Sequence, residues 1–241
     1  MALTDNLISY WKLDETSGTR ADAVVATGND LTDNNTVTSN PGKIGNAGQF
    51  TFANTEYLSH ADNASLSAGD IDISFAGWMY LDSKATYQVL LSKHDGATIA
   101  GSEYLIMYDQ GLDRFTFTVY QGTTNSGTIA ANNLGSPSTA TWYYIVAWHD
   151  ATANTVNIQV NNGTVDSVSY SNGINDTTTA FDIGALSNTG FAMDGRIDEV
   201  GLWKRTLTVQ ERTDLYNSGN GFTYPFITVS GYKSLLGVGQ A

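Results

Sequence analysis

The chain has 241 residues, of which 15% are charged and 41% are hydrophobic, a length and balance that suit one domain with a substantial core. Its 24 acidic and 11 basic side chains give a net charge of −13, which repels phosphate backbones and anionic lipids and makes nucleic acid a poor candidate partner. The absence of cysteine excludes disulfides and cysteine-ligated zinc. No stretch has the composition of a membrane span or a secretion signal, so we expect neither membrane insertion nor conventional export.

Apolar and polar residues alternate with a period of two along most of the chain, as they do in half-buried β-strands. The clearest case is residues 115–120, where Phe and Val alternate with Thr and Tyr. The same pattern predicts strands over residues 8–13, 72–81, 87–91, 104–108, 142–148, 156–160 and 197–203. Together these segments predict an all-β fold, a two-sheet antiparallel jelly-roll sandwich.

Residues that favour turns predict one hairpin and several connecting loops. Asn161-Asn162-Gly163 follows the strand at 156–160 and precedes an alternating run at 165–170, and Asn-Gly supplies the positive backbone angles of a tight type I′ turn. Three polar stretches, residues 30–40, 122–139 and 172–179, are rich in turn formers and are predicted to be connecting loops. Loops of this length also carry recognition sites in many proteins.

One short helix is predicted near the end of the sandwich. Thr208 followed by Glu211 makes a capping box, and Leu215 and Tyr216 precede Gly219 as a helix stop. This spacing allows about two to three turns. Because no shift in composition marks a linker earlier in the chain, residues 1–221 are predicted to form one sandwich domain.

Residues 222–241 form a C-terminal tail of different composition, with many apolar side chains, several glycines and a single charge, Lys233. Two interpretations fit. The tail packs in extended form on its own domain, or it is an arm that docks onto a neighbouring subunit and builds a homo-oligomer or a particle.

The sequence contains none of the common catalytic motifs. The five glutamates occur singly rather than as the closely spaced acid pairs of many glycoside hydrolases. No Gly-x-Ser-x-Gly elbow, His-Glu-x-x-His helix or Walker loop is present. His60, His94 and His149 each have an aspartate nearby, but surface histidines of loops are the commoner explanation. We therefore assign no catalytic residue.

Asp198 is the carboxylate that stands out. In Ile197-Asp198-Glu199-Val200-Gly201-Leu202-Trp203, strict alternation places it on the same face as Val200 and Leu202, which is predicted to be buried. A buried carboxylate needs hydrogen-bond donors or a cation, because ionised groups are costly to bury. A bound calcium ion and a network of backbone N–H groups both satisfy that need.

Aromatic residues make up 11% of the chain, and exposed Trp and Tyr rings are the usual platforms on which sugars stack. Most of the five tryptophans are predicted to fill the core. The better exposed candidates are tyrosines on strand faces: Tyr80, Tyr87, Tyr104, Tyr108 and Tyr120. The glycan-binding residues themselves stay unassigned.

The segment from Phe191 to Thr208, with the Ile-Asp-Glu-Val run at its centre, resembles the signature of laminin-G-like domains. These domains belong to the concanavalin A-like lectin and glucanase superfamily. Segments that resemble the family's earlier elements occur in the expected order at residues 7–15, 42–47, 73–79, 142–147 and 160–163, so the resemblance covers roughly residues 7–221. It implies the jelly-roll fold, which lectins, glycosidases and adhesion modules share.

The resemblance also implies a structural calcium ion. Its ligands at the matching positions would be Asp198, Asp14 of the opening strand and a backbone carbonyl at Gly48. The run of catalytic carboxylates found in the family's glucanases has no counterpart in this sequence, which argues against hydrolysis.

These observations predict a non-catalytic recognition module that binds a glycan or a protein surface, on an extracellular surface or a virion. A first alternative is a structural, decoration or fibre protein of a phage-like particle, suggested by the initial Met, the missing export signal and the apolar tail. A second alternative is a glycoside hydrolase of the glucanase type, with its carboxylates drawn from distant strands.

Overall fold

The computed structural model describes residues 2–187 and 191–227. These residues form fifteen β-strands, one α-helix and two short 3₁₀ turns. The strands are β1 Leu7–Trp11, β2 Thr32–Asn34, β3 Thr38–Pro41, β4 Asn46–Phe50, β5 Tyr57–His60, β6 Ile73–Leu81, β7 Gln88–Lys93, β8 Tyr104–Asp109, β9 Arg114–Gln121, β10 Asn125–Ala130, β11 Trp142–Asp150, β12 Thr155–Val160, β13 Asp166–Ser169, β14 Phe181–Ile183 and β15 Gly195–Trp203, and the helix is α1 Val209–Tyr216.

The strands build two antiparallel sheets, which confirms the predicted sandwich. The first sheet has the order β13-β12-β11-β6-β15-β4-β3, and β1 also pairs with β15. The second sheet has the order β10-β9-β8-β7-β14-β5-β2. β15 therefore lies near the centre of the first sheet, with β6 along one edge and both β4 and β1 along the other.

The main core lies between the sheets and is formed by the inward residues of the alternating strands. Trp11 is fully buried there, its ring stacks on Phe181 of the opposite sheet at 4.9 Å, and its Nε1 donates to the Asn29 carbonyl at 2.8 Å. Burying an aromatic side chain of this size stabilises the fold by about 1.5–3 kcal/mol. A second apolar cluster covers the outer face of the first sheet, where Trp78 and Trp203 pack beneath α1 and the chain ends.

Several short strands lie in segments that the sequence predicted to be loops. β2 and all but the last residue of β3 lie within residues 30–40, and β10 lies within residues 122–139. Their side chains are mostly polar and exposed, because these strands lie at or near the edges of the sheets. Hydrophobic alternation does not mark a strand that has no buried face.

The predicted antiparallel pairing of β12 with β13 is present, but the last paired residues are Ile158 and Asp166, so the connection is longer than the predicted two-residue turn. Asn161 and Asn162 adopt positive φ angles of 52° and 54°, and the Gly163 N–H donates to the Val160 carbonyl at 2.9 Å. The central pair is therefore Asn-Asn rather than Asn-Gly, since Asn also tolerates the left-handed conformation.

The helix α1 begins as predicted and ends earlier than predicted. The Thr208 and Glu211 side chains form the reciprocal capping box. Asn217 takes the left-handed conformation with φ 47° and stops the α-helix two residues before Gly219. No helix in the described residues has the length and apolar character to cross a membrane.

The tail is described only as far as Ile227. Tyr224 and Phe226 pack on Tyr10, with ring centroids 6.0 and 5.3 Å away, so this first part of the tail lies against its own sandwich. Residues 228–241 lie outside the described residues. Docking of the tail onto a neighbouring subunit therefore stays a prediction.

Candidate cation site and aromatic surface

The candidate site lies on β15 at the point where its neighbouring strand changes. Gly195, Arg196 and Ile197 pair with β4, whereas the residues from Val200 onward pair with β1. Asp198 and Glu199 lie between these two ladders. The change of partner leaves their side chains at a junction of three strands.

A β-bulge at this junction corrects the predicted face of Asp198. Asp198 lies opposite Trp78 and Gly201 lies opposite Ala76, so two residues of β15 oppose one residue of β6. Glu199 takes up the extra length with φ 52°. Because the bulge breaks the alternation, Ile197, Val200 and Leu202 all reach the inner core, while Asp198 lies on the outer face with Trp78.

Asp198 is fully buried and is held by a backbone turn. Its Oδ2 accepts hydrogen bonds from the backbone N–H groups of Lys43 at 2.7 Å and Ile44 at 2.9 Å. A side chain at Gly42 would collide with it, since an added Cβ would lie 2.6 Å from Oδ2. Asp198 Oδ1 is buried and has no hydrogen-bond donor among the described residues.

Asp14 is held by the same turn, residues 42–46. Its Oδ1 accepts from the backbone N–H of Asn46 at 2.8 Å, and the Asn46 side chain donates to the Asp14 carbonyl at 3.1 Å. The turn therefore contacts both of the carboxylates expected from the sequence. Gly48 is placed differently, because its main chain lies in the ladder between β3 and β15, opposite Ser39 and Ile197.

Burial dominates the electrostatics of this junction. It raises the pKa of Asp198 to about 8, helped by repulsion from Glu199 and opposed by the two backbone N–H groups. Burial likewise raises the pKa of Glu199 to about 7, opposed by the hydrogen bond from the Tyr10 hydroxyl. Two neighbouring buried carboxyls with raised pKa values have too few donors to stabilise their charges.

The residues present suit a calcium ion in their chemistry. Asp198 offers a buried oxygen without a donor, and carboxylate and carbonyl oxygens are the ligands that calcium prefers. Among the described residues no three His, Asp or Glu side chains converge as a ready-made metal cluster. A calcium ion held by Asp14 and Asp198 would therefore need main-chain carbonyls or water as further ligands.

The exposure of several aromatic side chains differs from the prediction. Trp11, Trp78, Trp148 and Trp203 are buried as expected, but Trp142 is only half-buried. Tyr104 and Tyr108, predicted to be exposed, are 0% and 1% exposed, because their positions in β8 point into the core. Tyr80, Tyr87 and Tyr120 keep partial exposure.

Trp142, Tyr80 and Arg196 form a continuous row, which we call the aromatic row, across the outer face of the first sheet. Tyr80 of β6 lies opposite Trp142 of β11 on one side and opposite Arg196 of β15 on the other. The two rings are 5.3 Å apart at 56°, and the Arg196 guanidinium lies 3.7 Å from the Tyr80 centroid and 5.5 Å from that of Trp142. All three side chains are half-buried.

The laminin G family model, described as the concanavalin A-like lectin/glucanases superfamily, matches residues 52–211. The chain belongs to this superfamily. The match spans more than half of the chain, and its C-terminal part contains the Ile-Asp-Glu-Val run that holds Asp198. No curated protein matches the sequence.

Several solved structures share this sandwich. Domain 4 of AbnA, a GH43 extracellular arabinanase from Geobacillus stearothermophilus in complex with arabinotriose, is 14% identical with a TM-score of 0.64, covering 87% of this chain and 97% of that one. The binding domain of Paraclostridial Mosquitocidal Protein 1 is 16% identical with a TM-score of 0.66, covering 89% of this chain and 52% of that one.

The receptor-binding domain of botulinum neurotoxin type G is 15% identical with a TM-score of 0.63, covering 88% of this chain and 51% of that one. This superfamily member therefore spans about half the length of the two toxin domains. At these identities the comparisons show a shared fold.

Proposed function

We propose that this superfamily member is a non-catalytic module that binds a glycan through the aromatic row of its first sheet. The observation that carries the proposal is the half-exposed row of Trp142, Tyr80 and Arg196 across three adjacent strands. Aromatic rings that are fixed in a sheet offer apolar area at a low entropic cost, and polar groups beside them orient a sugar.

The similar structures support binding as the kind of function. Domain 4 of the arabinanase is described in complex with arabinotriose, and the two toxin domains are described as binding domains. The fold alone does not choose among their ligands. The proposal for a glycan therefore depends on the aromatic row itself.

The burial of four carboxylates, three of them glutamates, supports a role without catalysis. Glu103 is fully buried and pairs with Lys93 at 2.5 Å, and Glu211 accepts a bidentate pair of bonds from Arg205 at 2.7 and 2.8 Å. Asp198 and Glu199 are 0% and 3% exposed. A general acid or a nucleophile must reach the glycosidic bond, which these side chains do not.

We also propose that Asp14 and Asp198 hold a structural calcium ion. The ion would neutralise the buried Asp198 carboxylate and tie the turn at residues 42–46 to β15. Because it would bind only the folded chain, its effect would be to stabilise the fold.

The experiment that tests the main proposal is a glycan array probed with the full chain and with Trp142→Ala. We expect the full chain to bind a defined set of glycans, and the variant to lose roughly tenfold in affinity, about 1.4 kcal/mol, because it removes the apolar ring against which the sugar packs. The matched control is Tyr57→Ala, since Tyr57 is also half-buried but belongs to the second sheet. The proposal fails if no glycan binds, or if both variants bind equally well.

A further inference from the structure

Arg196 is a cation without an acidic partner in a strongly acidic chain. The chain carries 24 acidic and 11 basic side chains. In the described part of the chain the ion pairs involve Lys84, Lys93, His94 and Arg205, and none involves Arg196. An unpaired guanidinium at a binding surface is available to an anionic group of a ligand.

The structure holds this guanidinium in one orientation. Its Cζ lies over the Tyr80 ring, 3.7 Å from the centroid, and Nη1 donates to the Pro41 carbonyl at 3.0 Å. Nε is buried without an acceptor in the described residues. A guanidinium fixed by stacking and by one backbone bond loses little entropy when it binds a planar anion.

We infer that the aromatic row recognises a sugar that carries a carboxylate, a uronic or sialic acid. Arg196 binds the carboxylate through Nη1 and Nη2, because Nε is buried and these two donors match the two oxygens of that group. Trp142 packs against the sugar ring beside the bound carboxylate, since its ring centroid lies 5.5 Å from the Arg196 guanidinium. This inference rests on the proposed function and names the ligand class of the same surface.

An acidic side chain close to Arg196 limits the charge that a ligand can carry. Gln49 lies opposite Arg196 in β4 and donates to the exposed Asp82 carboxylate at 3.1 Å. Asp82 therefore adds a negative charge to the edge of the row and disfavours ligands with several charges. The substitution Asp82→Asn removes this charge and is expected to strengthen the binding of an acidic sugar severalfold at low salt.

The test compares ligands that differ only in the carboxylate. The first pair is methyl galacturonide and its methyl ester, and the second is 3′-sialyllactose and its methyl ester, so that uronic and sialic acids are distinguished. Affinities are measured by calorimetric titration of the full chain. We expect the acidic member of at least one pair to bind about tenfold or more tightly than its neutral partner.

Substitutions of Arg196 test whether this residue causes the preference for the acidic ligand. Arg196→Met should remove the preference for the acidic member, and Arg196→Lys should keep part of it, since an ammonium retains the charge but loses the fork. Arg114→Met is the matched control, because Arg114 is also half-buried but lies in β9 of the second sheet. Thermal unfolding of each variant shows whether it is folded.

Each outcome separates the inference from the proposed function. Three results would each overturn the acidic-sugar inference. The first is equal binding of the acidic and neutral members, and the second is a preference for the acidic member that survives Arg196→Met. The third is binding of a polyglutamate peptide as tight as that of the acidic sugar. Equal affinity for acidic and neutral glycans, with binding lost in Trp142→Ala, supports the proposed function while it overturns this inference. Absence of any glycan binding overturns both.

Discussion

The Tyr10 hydroxyl donates a hydrogen bond of 2.5 Å to Oε2 of Glu199, and this contact joins the first strand to the bulge of the last one. Both side chains are buried, and Tyr10 also packs against Tyr224 and Phe226 of the C-terminal segment. A residue with φ 52° that carries a buried carboxylate is costly to fold. The Tyr10 hydroxyl therefore stabilises the bulge at Glu199.

Removing this hydroxyl should destabilise the fold. Tyr10→Phe keeps the ring and its packing but leaves Glu199 Oε2 without its donor, and a buried polar group that loses its partner costs about 1–3 kcal/mol. Urea denaturation should report a loss of that size in the free energy of unfolding. The control is Tyr57→Phe on a half-buried ring of β5, and a loss no larger than the control's would contradict the assigned role.

Calcium should stabilise the folded chain through Asp198. At a calcium concentration of about 100 times the dissociation constant, the gain in unfolding free energy is about 2.7 kcal/mol, and chelation should remove it. Asp198→Asn should abolish the gain. It should not weaken the metal-free protein, because the variant no longer buries a carboxylate with one unpartnered oxygen.

Thermal unfolding with calcium and with chelator measures both effects. Asp214→Asn is a suitable control, since Asp214 is exposed on α1, and it should respond to calcium as the parent chain does. A parent chain that unfolds at one temperature under both conditions would contradict the calcium site.

Asp182 should make stability depend on pH. It is 2% exposed in β14, and burial raises the pKa of its carboxyl to about 6, whereas an unfolded aspartate has a pKa of about 3.9. The folded state therefore binds the proton more tightly, so the contribution of Asp182 to stability is present below pH 4 and is lost as the pH rises through 6. The loss is on the order of 2–3 kcal/mol.

Asp182→Asn should remove this part of the pH dependence and raise the stability relative to the parent chain at pH 7. Denaturant unfolding between pH 4 and pH 8 measures the difference between the two curves. Parallel curves for the parent chain and the variant would show that Asp182 does not titrate in this way.

The long strands were predictable from the sequence because each has one face in the core. β6, β9, β11 and β15 all show the alternation, with ends that differ by a few residues from the predicted ones. β10 was not predictable, since its side chains are largely exposed and no apolar period marks it. Burial of Asp198 was also predictable, but its face was not, because the bulge at Glu199 changes the register.

The aromatic row was beyond sequence reasoning for a different reason. Tyr80, Trp142 and Arg196 come from three strands that are far apart in the chain, and only the register of β6 with β11 and β15 brings them together. Tyr80 was among the exposed candidates, whereas nothing adjacent in the sequence marks Arg196 as its neighbour. Strand order and register are set by the packing of the whole sandwich.

The most direct test of the account is a ¹H–¹⁵N correlation spectrum of the five tryptophan indoles during titration with a glycan that the array identifies. Trp142 is half-buried, and the other four indole side chains are buried. The account predicts that the Trp142 indole resonance shifts in proportion to ligand occupancy while those of Trp11 and Trp203 stay in place. Saturable binding that leaves the Trp142 resonance unchanged would contradict a binding site on the aromatic row.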